Sequence, residues 1–186
     1  MNSIMLKQLF GFLLLSTLSL NSFAACNCDE EEDEDDDIYK SYSYLGIKSG
    51  TNSGLAQTLL PGTNNALGIY FGYRATKNFG VEFDATSFGK YTTSLGLLEV
   101  TAATISGVHQ LEITKGMVLF GKLGLTSTQV GTAMTLQHTD FSYGAGLEFD
   151  INRSLILRAG YERYSLNLGT GLYTNNVTYG GLALKF

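Results

Sequence analysis

The sequence has one proline, Pro61, and no tryptophan. Its only cysteines are Cys26 and Cys28, and 16% of its residues are charged. Each scarcity excludes something. Two cysteines one residue apart close too small a ring to staple a domain, and a structural metal site takes about four ligands. The charged fraction falls well below the roughly 25% of ordinary globular domains. No basic stripe with interleaved aromatics points to nucleic acid. Past the N-terminus, no apolar run approaches the ~20 residues of a spanning helix. Glycine, at 22 residues, and Tyr and Phe, at 11 each, are plentiful instead. That mixture suits crowded strands rather than helices.

The formal charge of −5 is unevenly spread. Nine of the 17 acids form the unbroken run at residues 29–37. From Ile38 onward, 11 Lys and Arg face eight acids, a balance of +3. The acidic run has nothing apolar to bury and repels itself, so it reads as a solvated leader over residues 25–37. Loose chelation of divalent cations is the sharper alternative. Ahead of it stand Lys7, an apolar run over residues 9–15, and small residues at Ser22 and Ala24. That is the order of a secretory signal peptide, with cleavage expected after Ala24. A retained anchor would need a longer core. Lipidation of Cys26 is a further alternative, although Phe23 departs from that motif.

From Tyr39 onward the chain alternates. Phe141, Tyr143, Ala145, Leu147 and Phe149 share one face, with Ser142, Gly144, Gly146, Glu148 and Asp150 on the other. A period of two is that of a strand. The same rhythm recurs near residues 42–49, 67–74, 79–86, 119–126, 155–162 and 177–186. A vaguer segment at 101–111 has no fixed phase. Eight segments of about ten residues match the ~9–11 that a tilted membrane strand needs. Connections alternate between short ones, at 75–78, 114–116 and around Asn152, and long polar ones, at 50–64, 89–96, 127–137 and 166–176. Leu55 to Leu60 has the length of one helical turn. Short turns on one side and long loops on the other are the habit of outer-membrane barrels.

A soluble ligand-binding barrel also has eight strands, but it buries its apolar face. Here the less apolar face carries Lys48, Arg74, Lys122 and Arg158 beside Glu82, Asp84, Glu148 and Glu162. Four cations match four anions, while the other face is nearly uncharged. A narrow polar interior with paired charges accounts for both, since an unpaired buried charge is costly. Lipid also demands closure, because an open sheet edge would leave backbone groups unsatisfied.

The last segment places Leu182, Leu184 and Phe186 on the lipid side, with Ala183 and Lys185 inward. Gly181 with the terminal Phe186 resembles the C-terminal signal strand that the barrel-assembly machinery reads, with Tyr179 at a position that is usually more polar. With YLGIKSG, IYFGYRAT, LFGKLGLTS, SYGAGLEFD and LILRAGYERY, the stretch over residues 38–186 resembles the small OmpA/OmpX-type barrel family. The resemblance implies an all-β, eight-stranded, antiparallel up-and-down transmembrane barrel, with short periplasmic turns and long extracellular loops. It implies export to the bacterial outer membrane, contact with its lipid, a monomer, no cofactor, and possible ligands at the loops.

Some barrels of this size modify lipids, so the two histidines matter. His138 and Asp140 fall on the inward phase with Ser142, which is the wrong side for acyl chains. His109 and Ser106 fall on opposite faces. No nucleophile elbow, phosphate loop or zinc cluster is present. The expectation is a structural or surface-interaction protein rather than an enzyme. A small gated pore is the alternative.

Overall fold

The computed structural model describes residues 40–54, 65–93, 96–131, 135–167 and 171–186. The proposed signal peptide, the acidic leader, Cys26 and Cys28, and the helical turn at 55–60 lie outside them. Among the described residues are eight strands: β1 (Tyr42–Gly54), β2 (Asn65–Arg74), β3 (Phe79–Thr93), β4 (Gly96–Thr114), β5 (Met117–Gly131), β6 (Thr135–Asp150), β7 (Leu155–Asn167) and β8 (Leu172–Lys185). Each pairs antiparallel with its neighbour in sequence, and β8 returns to β1. The closing seam runs from Tyr44↔Lys185 to Gly54↔Asn175. No edge of the sheet is left along that seam, which is the condition lipid imposes.

The turns at one end are as short as their sequence suggests. Arg74 gives way to Phe79, Thr114 to Met117, and Asp150 to Leu155. Gly116 takes the middle one with φ of 81°, a left-handed value that favours glycine. The other end corrects the loop bounds. β3 and β4 pair as far as Thr93↔Gly96, so the segment 89–96, read as a long loop, is mostly strand. Likewise β5 and β6 pair up to Gly131↔Thr135, and β7 and β8 up to Asn167↔Leu172. The strands have 10 to 19 residues instead of about ten.

The physical reason lies in which face is apolar. In the half near the short turns, Leu45, Ile47, Ile69, Phe83, Leu123 and Leu182 point outward and are exposed. In the other half Thr51, Ser53, Lys90, Glu99, Gln137 and Thr139 point outward and are exposed. There the apolar residues face inward: Phe88, Tyr91, Val100, Val130, Leu166 and Val177 are all buried. The alternation persists while its polarity inverts, so these strand ends pass for polar loops. The fourth strand also acquires a phase. Ala102, Thr104, Ser106, Val108 and Gln110 are inward and buried, while Ala103, Ile105, His109, Leu111 and Ile113 are outward and exposed.

Candidate functional site

The interior is built in three tiers. The one nearest the short turns holds the charges. Lys48, Arg74, Glu82, Asp84, Lys122, Glu148, Arg158 and Glu162 all point inward, and none is more than 8% exposed. Strand parity puts them there, because each sits at an even step from the others on its strand. The fold then brings together residues as much as 114 positions apart.

The contacts form a chain of alternating sign. Arg74 donates from Nη2 to Glu148 Oε1 at 2.9 Å. Glu148 also receives Arg158 and the amide of Gln110. Arg158 reaches on from Nη1 to Glu82 Oε2 at 2.6 Å. Glu82 takes Lys122 on its other oxygen at 3.1 Å. Lys122 pairs with Glu162, and Lys48 closes the chain against Glu162 at 2.6 Å and against Asp84. Four cations meet four anions, so the tier is neutral. Charges this deeply buried persist only when each has opposite partners and hydrogen bonds.

Aromatic rings complete the tier, and the sequence reading missed them. Arg158 lies over Tyr70 at 4.4 Å and Phe120 at 4.8 Å from the ring centres. Arg74 lies over Tyr44 at 5.0 Å, and Lys48 over Tyr179 at 5.1 Å. Rings of this kind stabilise a desolvated cation through their negative faces. The Tyr44 hydroxyl also donates to Glu82 at 2.8 Å. A signal for these rings was present. Tyr44 faces Gly72 across the sheet, Tyr70 faces Gly46, Phe120 faces Gly146, and Tyr179 faces Gly160. A methyl at any of these glycines would collide with the opposing ring.

Above the charges lies a row of hydroxyls. Thr104 and Thr126 share a hydrogen bond at 2.7 Å, and Thr126 donates to Ser142 at 2.6 Å. Above these comes the apolar tier, where Phe88 and Tyr164 pack edge to face at 5.0 Å. Asn52 and Tyr91 both donate to the Phe88 carbonyl, at 2.8 and 3.0 Å.

The remaining candidates are dispersed. His109 is outward and exposed, whereas Ser106 is inward and 3% exposed, so the wall separates them. His138 faces inward near the far end of β6, with Nε2 3.8 Å from Asp140 Oδ2. Gly181 sits between Lys48 and Arg158 in the sheet register. Leu182, Leu184 and Phe186 are outward and exposed. Lys185 bonds Asp150 at 2.6 Å at the short-turn mouth.

An apolar outer band around a neutral, charge-filled interior is the arrangement of a lipid-embedded barrel, and the family model for the outer membrane protein beta-barrel domain matches residues 10–186. The chain belongs to that family. Its short turns, after Arg74, Thr114 and Asp150, all lie at one end of the barrel. No curated protein matches it. Solved barrels resemble it in fold. Ail of Yersinia pestis, in complex with the heparin analogue sucrose octasulfate, shares 17% identity over 78% of this chain and 97% of its own, with a TM-score of 0.54. The N-terminal barrel of Pseudomonas aeruginosa OprF shares 13% identity over 79% and 100%, with a TM-score of 0.53. Neisserial surface protein A shares 15% over 78% and 97%, also at 0.53. At such identities the likeness is one of fold.

Proposed function

We propose that this outer-membrane barrel is a sealed, non-catalytic protein with a structural or surface-interaction role. One observation carries the reading. The charge tier is neutral and continuous from Arg74 on β2 to Lys48 on β1, and an apolar tier lies above it. An eight-stranded barrel leaves room for little more than its own side chains. Ions crossing it would have to break the pairs and then displace Phe88, Tyr91 and Val130. The polar wall beyond the lipid, with Lys90, Glu99, Gln137 and Thr139 outward, is the surface offered to a ligand or neighbouring molecule. The C-terminal strand serves as the assembly signal.

Separation of His109 from Ser106 by the barrel wall counts against lipid hydrolysis, since a nucleophile and its base must lie within hydrogen-bond reach. Planar-bilayer recording tests the seal. The intact barrel is expected to give no steady single-channel current. Openings abolished by Arg158→Ala would instead establish the gated pore.

A further inference from the structure

All 11 cations and eight acids that follow Ile38 are described residues, so the place of their excess charge of +3 is fixed by the fold. The interior tier takes four of each sign and is neutral. The end away from the short turns holds Lys90 and Arg163 with Glu99 and Asp140, so it is neutral too. The whole excess falls at the short-turn end, where Lys40, Lys77, Lys115, Arg153 and Lys185 face only Glu112 and Asp150. Both of those acids are taken. Lys77 pairs with Glu112 at 3.1 Å, and Lys185 with Asp150 at 2.6 Å. Lys40, Lys115 and Arg153 are exposed and make no ion pair with another described residue.

These cations are spread around the rim. Lys77 lies in the β2–β3 turn, Lys115 in the β4–β5 turn and Arg153 in the β6–β7 turn, while Lys40 precedes β1 at the closing seam. Each stands where the lipid-facing wall ends. Phe79, Ile113 and Ile151, each two residues from a turn cation, are exposed. Phe186 is exposed beside the seam, where its backbone is bonded to Ser43. Two strand residues span roughly 7 Å. A Lys or Arg stem covers that distance, so the charge stands among headgroups while its apolar neighbour stays among acyl chains. The turns themselves do not call for a cation. Gly116 supplies the left-handed φ of one, and the Asn152 side chain accepts from the Ser154 amide in another.

We propose that this rim binds the headgroups of anionic phospholipids in the leaflet that meets the short turns, with Lys40, Lys115 and Arg153 as the free charges that draw the phosphates. Continuity with the apolar band selects the occupant. A soluble anion would engage the charges alone, whereas a phospholipid engages the charges and the apolar margin together. An anionic leaflet attracts each Lys or Arg held near its surface, and salt screens that attraction. The inference rests on the lipid-facing outer wall and is independent of the interior seal.

The test uses the whole chain, with its acidic run at residues 29–37, folded into phosphatidylcholine vesicles. Electron spin resonance compares how spin-labelled phosphatidylglycerol and spin-labelled phosphatidylcholine associate with the barrel. Phosphatidylglycerol should associate about fivefold more strongly, the scale of one cation at an anionic surface. The preference should shrink at an ionic strength of about 1 M, where charges are screened within about 3 Å. Lys115→Gln combined with Arg153→Gln should remove most of it, whereas Arg163→Gln, at the neutral end, should leave it in place. Heat-modifiable migration verifies that each variant is folded. Equal association of the two lipids with the wild type overturns the proposal. So does a preference that salt or the double substitution leaves undiminished, or one that Arg163→Gln removes.

Discussion

Glu82 is the residue on which the charge tier turns. It is fully buried and accepts from Tyr44, Lys122 and Arg158 at once. Glu82→Ala leaves two cations with fewer partners in a site that water does not reach. The expected loss is about 3–5 kcal/mol, the range for breaking a buried pair from one side. Urea unfolding of the barrel in vesicles should show the midpoint fall accordingly. An unchanged midpoint would mean that the surrounding charges re-pair without it. The parity of these eight residues was legible because a strand has only two faces and the apolar residues had claimed one. Their pairing was not legible. Glu148 lies only ten positions from Arg158 but 74 from Arg74, and only the closed sheet brings all three together.

Along a single strand, the interior is shaped by facing glycine and aromatic residues. The Tyr44 ring occupies the space over Gly72, and Tyr179 the space over Gly160. Gly72→Val and Gly160→Val should each destabilise by about 1–3 kcal/mol, as overpacking of a filled core does. Gly121→Ala, on the open outer face, should be close to neutral by the same unfolding measurement. Equal effects at all three positions would refute the claim that ring contact matters. At this scale the sequence was partly misleading. Residues 89–96 look like a loop because the outward-facing Lys90 is polar. The strand continues because the apolar residues on either side of it, Phe88 and Tyr91, are buried. Gly89 supports the change with φ of 94° where the β3–β4 register shifts between Ser87 and Lys90. A positive φ at a bulge is a familiar use of glycine.

For the molecule as a whole, the inversion of polarity sets both orientation and strength. The apolar tier should act as an ordinary protein core even though it lies beyond the lipid. Phe88→Ala is expected to cost about 3–5 kcal/mol, the usual range for removing a buried phenylalanine. Orientation has a separate test. In a background lacking Cys26 and Cys28, a membrane-impermeant thiol reagent on intact cells should label Gln137→Cys but spare Lys115→Cys. The reverse pattern would turn the barrel over.

The same inversion fixes how high the cylinder rides in its membrane. Outward sliding by one residue pair would drag rows such as Leu67 and Phe141 into water. Inward sliding would press Lys90 and Glu99 into oil. Both displacements are uphill, so the apolar band works as a float line, and whatever the rim displays is held at a constant height above the bilayer.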